Sequence, residues 1–295
     1  MRNDFAIFIP SYDRCEMLIN KTLNMLKEYN YSGKWYVVVD DNDPQLEAYK
    51  EKISNKHLLI FHKPDYYDYY DTCYNNKKIE AKLYPVAFID SIIDKLKLNY
   101  YMIIDDDMKE LVFRYDNNNQ LLQKNLSSTT FEKFLTYYID FLDMTCYTMI
   151  SIDSNAKLMG GLKSEIFKFG YKYDLLSIYI LKNLNNRYKF CNLLHDEASS
   201  LQLNALNGRY TIMLPYVFFV NDTLKNYYKD RNDGGCSSQY NNYGVSVSYI
   251  KEMALLMTNP NCIDLLKLKN DDKILYTRKN KKNYYPKIID WRWKK

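Results

Sequence analysis

The sequence predicts an α/β protein whose core is a parallel, doubly wound sheet. Over roughly the first 107 residues, short apolar runs alternate with segments whose apolar residues recur at helical spacing, which is typical of strand–helix–strand units. Two of the apolar runs end in consecutive acidic residues, and open α/β sheets bind ligands at the carboxyl ends of their strands. A chain of 295 residues is long enough to bury the core of one large α/β domain.

The first half of the chain carries the clearest pattern. Strands are expected at residues 5–9, 35–39, 58–61 and 100–104. Helices are expected at residues 17–29 and from Pro85 to about residue 96, and a short helix that follows the second strand is expected to end at about residue 53. Pro85 suits the first turn of its helix, because the N–H that proline lacks would be unpaired there. The polar, tyrosine-rich stretch 63–78 is expected to form a mobile loop.

The second half predicts a less regular series of elements. A helix is expected from a capping-box start at Thr129 to about Asp143, and another from residues 195–197 to Gly208. Strands are expected at 146–152, 173–180, 187–191 and 210–220, followed by a last helix at 246–257. No internal repeat or linker rich in Gly, Pro or Ser divides the chain, so a single domain over residues 1–295 is expected.

Several classes of protein are excluded by the sequence. No apolar stretch approaches the roughly 18 residues that span a bilayer, and the run 5–9 is too short for a secretory signal. The six cysteines form no CxxC pair and no Cys/His cluster of zinc spacing. Neither the GxGxxG of a dinucleotide fold nor the GxxxxGK[ST] of a P-loop is present. A cytoplasmic protein with no membrane partner is therefore expected.

Positive charge is concentrated at the C-terminus. Residues 267–295 contain 11 basic and 3 acidic residues, a net +8 against +5 for the whole chain, so the remainder carries −3. Aromatic side chains are interspersed among these charges, at Tyr276, Tyr284, Tyr285, Trp291 and Trp293. The combination is typical of a surface that binds nucleic acid through phosphates and bases, and a solvated terminal arm is the alternative.

The run 100–107 is the strongest chemical signal, because a fully apolar strand ends in Asp105, Asp106 and Asp107. Two ionised carboxylates about 4 Å apart repel by roughly 4 kcal/mol at an effective dielectric constant near 20. A hard divalent cation with oxygen ligands relieves that repulsion, and a solvated turn or helix cap is the alternative. A metal held by Asp105 and Asp107 could bridge a diphosphate and act as a Lewis acid on the leaving group.

Five segments in this order resemble the GT-A-fold glycosyltransferases over roughly residues 5–220. They are Ile9–Arg14, Val37–Asp41, Ile103–Asp107, Gly160-Gly161 and His195–Glu197. The resemblance implies a GT-A-like, doubly wound mixed sheet. It also implies a nucleotide-sugar-binding half at 1–115, an acceptor-binding half at 116–260 and a basic C-terminal segment at 261–295.

The resemblance implies how the donor nucleotide would be bound. Pro10, Tyr12 and Arg14 of the first turn, together with Asp40 or Asp41, would hold the nucleoside, with the carboxylate accepting from the base. The nucleotide would be a uridine diphosphate carrying the sugar.

The resemblance also implies a diphosphate and metal site. Asp105 and Asp107 would bind Mn²⁺ or Mg²⁺, with Asp106 counted among the donor-site residues. Lys82 would contact the diphosphate, and a lysine whose stem covers apolar surface is the alternative. His195 is a candidate for a third metal ligand, with a structural role as the alternative.

For the transfer itself, the resemblance places Gly160 and Gly161 beside the donor sugar and the acceptor. Asp196 or Glu197 would be the general base that takes the proton of the acceptor hydroxyl. Capping of the helix N-terminus is a compatible second reading of these two acids.

Within this class, the sequence is most similar to the TET/JBP-associated glycosyltransferases. The similarity lies in the Ile9–Arg14 start, the DDD form of the metal motif, Gly234-Gly235 and the basic terminus 286–293. It implies transfer of a sugar to a hydroxymethylated pyrimidine in DNA, flipped out of the duplex, by a virus- or phage-encoded enzyme that acts in the host cytoplasm. The same chemistry on a glycan, glycolipid or protein, a nucleotidyltransferase, and a degenerate domain that binds nucleic acid are the alternatives. The oligomeric state is left open.

Overall fold

The structure is a computed structural model, described here for residues 1–72, 82–115, 121–154, 178–185, 187–193 and 196–221. The strands are β1 (Phe5–Pro10), β2 (Lys34–Asp40), β3 (Leu58–Phe61), β4 (Tyr100–Ile104), β5 (Met108–Tyr115), β6 (Leu121–Asn125), β7 (Tyr147–Ser154), β8 (Ile178–Lys182) and β9 (Tyr210–Asn221). The α-helices are α1 (Cys15–Leu18), α2 (Asn24–Glu28), α3 (Leu46–Lys52), α4 (Leu83–Ile92), α5 (Ser128–Met144) and α6 (Asp196–Leu206). A π-helical turn (Ile19–Leu23) joins α1 to α2, and a 3₁₀ turn (Lys63–Tyr66) follows β3.

These strands form one mixed sheet in the order β3-β2-β1-β4-β8-β7-β9-β5-β6. The first four are parallel, with Ile7 of β1 opposite Trp35 on one side and Met102 on the other. β8 runs antiparallel to both β4 and β7, whereas β7 and β9 are parallel. The prediction of an α/β protein on a mixed sheet is therefore confirmed, and the carboxyl ends of β1, β2 and β4 meet at one edge.

Apolar side chains pack on both faces of the sheet, as the alternation along β1 illustrates. Phe5, Ile7 and Ile9 belong to the core on the face covered by α1, α2 and α5. Ala6 and Phe8 belong to the core on the opposite face, covered by α4 and the start of α6. Because both faces are covered by helices, the expectation of a doubly wound arrangement holds. None of the helices within the described residues is long and apolar enough to cross a membrane.

Residues 187–191, predicted as a strand, form no strand ladder. Their backbone is instead bonded by polar side chains of α6: Asn204 Oδ1 accepts from the N–H of Lys189 at 2.9 Å, and Ser200 Oγ accepts from that of Cys191 at 2.9 Å. The prediction was wrong because apolar alternation reports which side chains are buried, not which groups satisfy the backbone.

Two smaller expectations concern the stretch after β3 and the cap of α5. Of the stretch 63–78, expected to be a mobile loop, the structure describes residues 63–72, which begin with the 3₁₀ turn and in which Tyr70 donates a 2.7 Å hydrogen bond to Asp90. The cap of α5 is Ser127, whose N–H donates to Thr130 Oγ1 at 2.7 Å, and not Thr129. Glu132, expected to complete the capping box, instead accepts from the N–H of Ser32 at 2.8 Å. Tyr70 and Glu132 thus make contacts distant in sequence, whereas the cap between Ser127 and Thr130 is local.

An ion pair between Asp90 of α4 and Arg187 gives a stability prediction. Asp90 is buried, accepts hydrogen bonds from Tyr70 and Tyr101, and lies 3.3 Å from Arg187 Nη1. Burial raises the pKa of Asp90, and the Arg187 guanidinium opposes that rise. Arg187→Met removes the cation and leaves a buried carboxylate, so we expect the free energy of unfolding to fall by about 3 kcal/mol. Urea denaturation measures this loss.

The control for that prediction is the double variant Asp90→Asn/Arg187→Met, which removes the carboxylate as well. It should recover a substantial part of the lost stability, because no uncompensated charge is then buried. A loss below about 1 kcal/mol in Arg187→Met alone would show that the pair is not an important part of the fold.

Candidate functional site

The three consecutive aspartates form the turn between β4 and β5, at the carboxyl edge of the parallel strands. β4 is central in the sheet and buried along its whole length, so the position where it ends is fixed. β5 then leaves this edge and pairs with β9 and β6. The acidic turn, Asp105–Met108, is thus held between two strands that belong to different parts of the sheet.

Asp106 points into the protein and ties this turn to the loop after β1. Ser11 Oγ donates a 2.8 Å hydrogen bond to Asp106 Oδ2, and Arg14 Nη1 lies 3.4 Å from Oδ1. Burial raises the pKa of Asp106, and Arg14 and Ser11 act against that rise. The middle aspartate is therefore committed to contacts within the protein.

A chain of hydroxyl groups extends this contact to α3. The backbone N–H of Arg14 donates to Tyr49 Oη at 3.1 Å, and Tyr49 Oη lies 2.7 Å from Ser11 Oγ. Because Ser11 donates to Asp106, it accepts from Tyr49, and the donors run in one direction from Arg14 to Asp106. Tyr49 is fully buried, so the chain is shielded from water and joins three elements of the site.

Asp107 is half-buried, and one of its carboxylate oxygens has no partner within the described ranges. Its Oδ1 atom is buried and has no hydrogen-bond partner among the described residues. Burial, and then repulsion from Asp105 and Asp106, raises its pKa to about 6, against which Arg14 and Lys21 act. Buried polar atoms almost always have a partner, so an orphaned carboxylate oxygen marks a place where a cation or ligand would be stabilised.

Lys82 lies in the site, and not on the open surface. Its Nζ is 2.5 Å from Asp105 Oδ1 and 5.2 Å from the centre of the Tyr179 ring. Lys82 immediately precedes α4, so the first turn of that helix carries a cation to the acidic turn. Asp105 itself is partly exposed and is open to a ligand from the outside.

The donor set of the turn fits a hard divalent cation that takes few protein ligands. No group of three or more His, Cys, Asp or Glu residues is arranged for metal binding in the part of the chain that the structure describes. With Asp106 engaged by Ser11 and Arg14, Asp105 and Asp107 are the carboxylates of the turn left to hold such a cation. Mg²⁺ in particular is commonly held by one or two carboxylates plus substrate phosphates and water.

The end of β2 places its two acids differently. Asp40 is buried and accepts from the N–H of Asn42 at 2.9 Å, and burial raises its pKa. Asp41 is exposed, and its Oδ2 lies 2.7 Å from His62 Nδ1, a hydrogen bond that raises the pKa of the histidine. Asp41 is thus the more accessible of the two carboxylates, at the same edge as the acidic turn.

The loop after β1 is braced by the loop after β2. Asp13 adopts a left-handed φ of 55°, and its backbone carbonyl accepts from Gln45 Nε2 at 3.1 Å. Asp43 Oδ2 accepts from the N–H of Asp13 at 2.9 Å. Pro10, the last residue of β1, and Tyr12 in the loop are both half-buried, and they are therefore held in a fixed backbone beside the acidic turn.

Asp196 and Glu197 are the first residues of α6, and the positions of their side chains lie outside the description. The helix below them is fixed by fully buried polar residues: Ser199 Oγ accepts from Asn192 Nδ2 at 2.9 Å, and Asn204 Nδ2 donates to the carbonyl of Lys189. Gly160, Gly161, His195, residues 234–235 and the segment 261–295 also lie outside the described residues.

The structure brings further residues to the site that were not predicted. Tyr49 and Gln45 of the α3 region hold the first loop, and Thr22 and Lys21 of the π-helical turn face the acidic turn. The only sequence signal for Thr22 is a hydroxyl placed within an otherwise apolar helical stripe.

Comparison with known proteins gives one family match. The model of the TET-associated glycosyltransferases matches residues 5–228. A comparison with curated proteins finds no match.

Several solved structures are similar in shape at low sequence identity. S. aureus TarS 1–349 in complex with UDP-GlcNAc is 15% identical with a TM-score of 0.43, and the alignment covers 86% of this chain and 66% of that one, just under two thirds. The mannosyltransferase PcManGT from Pyrobaculum calidifontis, in complex with GDP-Man and Mn²⁺, is 13% identical with a TM-score of 0.44, covering 87% and 73%. Glucosyl-3-phosphoglycerate synthase from Mycobacterium tuberculosis, in complex with Mg²⁺ and UDP, is 10% identical with a TM-score of 0.42, covering 90% and 84%.

Proposed function

Because the chain belongs to the TET-associated glycosyltransferase family, we propose that it transfers a sugar from a uridine diphosphate sugar to a hydroxymethylated pyrimidine in DNA, using Mn²⁺ or Mg²⁺. The observation that carries the proposal is the buried Oδ1 of Asp107, which has no hydrogen-bond partner among the described residues. It lies in the same turn as the partly exposed Asp105, at the ligand-binding edge of the sheet.

In this proposal Asp105 and Asp107 hold the cation, which when bound neutralises charge on the diphosphate leaving group. Asp106 does not bind it, because Ser11 and Arg14 hold that carboxylate. Lys82, which pairs with Asp105, would also contact the diphosphate, where its ammonium can follow the charge that develops on the leaving oxygen.

The nucleoside would lie along the edge formed by the loop after β1 and the end of β2. Pro10, Tyr12 and Arg14 would flank it, and the carboxylate of Asp41 would accept from the base. Asp41 is preferred to Asp40, which is buried and bonded to the backbone of Asn42.

The transfer step needs one proton acceptor. Asp196 or Glu197 would take the proton of the acceptor hydroxyl as its oxygen bonds to the anomeric carbon. The bond from that carbon to the diphosphate oxygen breaks, and its electron pair leaves with the nucleotide. Gly160 and Gly161 would lie beside the sugar, where the absence of a side chain allows close approach.

The DNA acceptor is supported by the family match and by the charge of the C-terminal segment. Residues 267–295 carry a net +8, with five aromatic residues among them. Lys and Arg side chains would hold the phosphates that flank a flipped-out base, and rings would stack on unpaired neighbours.

Mass spectrometry of the acceptor tests the proposed function directly. DNA containing 5-hydroxymethylcytosine or 5-hydroxymethyluracil is incubated with the protein, Mn²⁺ and a panel of nucleotide sugars. We expect the modified nucleoside to gain the mass of one sugar residue, whereas unmodified DNA should remain unchanged. If hydroxymethylated DNA stays unreacted in every mixture and the sugar is transferred to a glycan or protein hydroxyl instead, the proposed DNA acceptor is wrong and the proposed glycosyltransferase activity stands.

The salt dependence of DNA binding provides an independent check on the acceptor. If the C-terminal segment contacts about five phosphates, the logarithm of the binding constant should fall with the logarithm of salt concentration at a slope near −4.5. Fluorescence anisotropy with a short labelled duplex measures the slope. An affinity independent of salt would exclude the phosphate contacts that we propose.

A further inference from the structure

Thr22 bonds to both ends of the acidic turn. Its hydroxyl Oγ1 donates to the carbonyl oxygen of Asp105 at 2.9 Å and accepts from the backbone N–H of Met108 at 2.9 Å. Residues 105 and 108 are the first and last of a four-residue turn, and in a standard β-turn these two groups bond directly to each other. The threonine hydroxyl thus occupies the place where the turn would otherwise close on itself.

The π-helical turn (Ile19–Leu23) brings Thr22 to this position. Such a turn contains an additional residue, and each residue of a helix rotates the side-chain direction by about 100°. Thr22 is fully buried on this turn, and the adjacent Lys21 is near enough to act on the charge of Asp107. π-Helical turns inside helices are frequent at functional sites.

We propose that Thr22 is a positioning residue for the divalent cation. Its hydroxyl holds the acidic turn open, so that the carboxylates of Asp105 and Asp107 can bind the same ion. The inference rests on the proposed function. The neutral, buried hydroxyl of Thr22 sets the placement of the two carboxylates relative to each other, which neither carboxylate can fix alone. The side chain of Asp106 is fixed separately by Ser11 and Arg14. Thr22 holds the backbone on both sides of Asp106, at the carbonyl of Asp105 and the N–H of Met108.

Removal of the hydroxyl leaves the turn with two outcomes. The Asp105 carbonyl and the Met108 N–H either remain unpaired in the interior or bond to each other and close the turn. Closure rotates the peptide planes between them, and the direction of the Asp107 side chain depends on those planes. In both cases the two ligand carboxylates lose their relative placement, as when the hydrogen-bonded support of a metal ligand is removed.

Three variants separate this role from a general structural one. Thr22→Val removes the hydroxyl at nearly constant volume, and Thr22→Ser keeps a hydroxyl. Thr148→Val is the matched control, because Thr148 of β7 is also buried and donates from Oγ1 to the carbonyl of Tyr210 at 3.0 Å. Mn²⁺ affinity is measured by electron paramagnetic resonance with saturating UDP, and exchange of the Met108 N–H is measured by NMR without metal.

We expect Thr22→Val to weaken Mn²⁺ binding about 10- to 100-fold, and exchange of the Met108 N–H to accelerate if the turn stays open or to stay slow if it closes on itself. Raised Mn²⁺ should restore kcat, and Thr22→Ser should restore most of the affinity. Thr148→Val should bind Mn²⁺ as the wild type does. Mn²⁺ affinity in Thr22→Val within about twofold of wild type would overturn this inference alone. A wild-type protein that binds no Mn²⁺ in the presence of UDP would overturn the proposed function and this inference together.

Discussion

Asp107→Asn is expected to lower kcat/KM for sugar transfer by about 1,000-fold, which corresponds to about 4 kcal/mol of transition-state stabilisation. The substitution keeps the shape of the side chain and removes the charge of one proposed metal ligand. Donor binding in Mn²⁺ should weaken as well, because the diphosphate would lose the cation that bridges it. Steady-state kinetics with a nucleotide sugar and calorimetry with UDP measure the two effects.

The same variant should be more stable than the wild type when metal is absent. The pKa of Asp107 is raised from 3.8 to about 6 in the folded protein, so the charged carboxylate opposes folding above pH 6. Asparagine removes that penalty, and we expect a gain of about 2 kcal/mol at neutral pH, disappearing below about pH 3 where both states are protonated. Denaturation in a chelating buffer at the two pH values measures the difference.

The opposite signs of these two effects distinguish a functional residue from a structural one. Asp140→Asn is the control, since Asp140 lies exposed on α5 and its pairing with Arg2 spans 3.8 Å. It should change neither activity nor stability by a measurable amount. Normal turnover in Asp107→Asn would remove this carboxylate from the metal site, whatever its effect on stability.

The second large effect is expected from the two acids that begin α6. Asp196→Asn and Glu197→Gln are made separately, and the variant that loses the general base should lower kcat by 100- to 10,000-fold, the usual range for general base catalysis. Its affinity for the donor should remain, because the base acts on the acceptor hydroxyl. Single-turnover kinetics and UDP calorimetry separate the two quantities.

The other variant of this pair is the internal control, because it makes the same kind of substitution one residue away. Capping alone would cost about 1 kcal/mol of stability and would leave kcat near its wild-type value. If both variants retain kcat within about twofold, neither acid is the base, and the N-terminus of α6 has only a structural role.

The parallel half of the sheet was predictable because its signal is local. β3 was predicted at residues 58–61 and is found at Leu58–Phe61, since the strand is an apolar run bounded by polar residues. The helix of Pro85 is likewise found, with Val86 and Ile89 buried as its stripe requires. Gly208, predicted to end α6, has a φ of 72°, which glycine adopts without strain.

The directions of the three aspartates were not predictable from the sequence. The Asp106 side chain is held by Ser11 and Arg14, more than 90 residues away, and the backbone of Asp105 is bonded by Thr22, and turn sequences carry no record of such partners. The same reason explains residues 187–191. Their backbone is satisfied by Asn204 and Ser200, whose side chains replace a neighbouring strand.

The central claim is that a divalent cation on Asp105 and Asp107 links the protein to the donor diphosphate. The most direct test is to titrate the protein with UDP in a calorimeter twice, once in the presence of Mn²⁺ and once in the presence of a chelator. We predict UDP binding that is at least about tenfold tighter with Mn²⁺ in the wild type, and no effect of Mn²⁺ in the variant Asp105→Asn/Asp107→Asn. Equal UDP affinity of the wild-type protein with and without Mn²⁺ would contradict the claim.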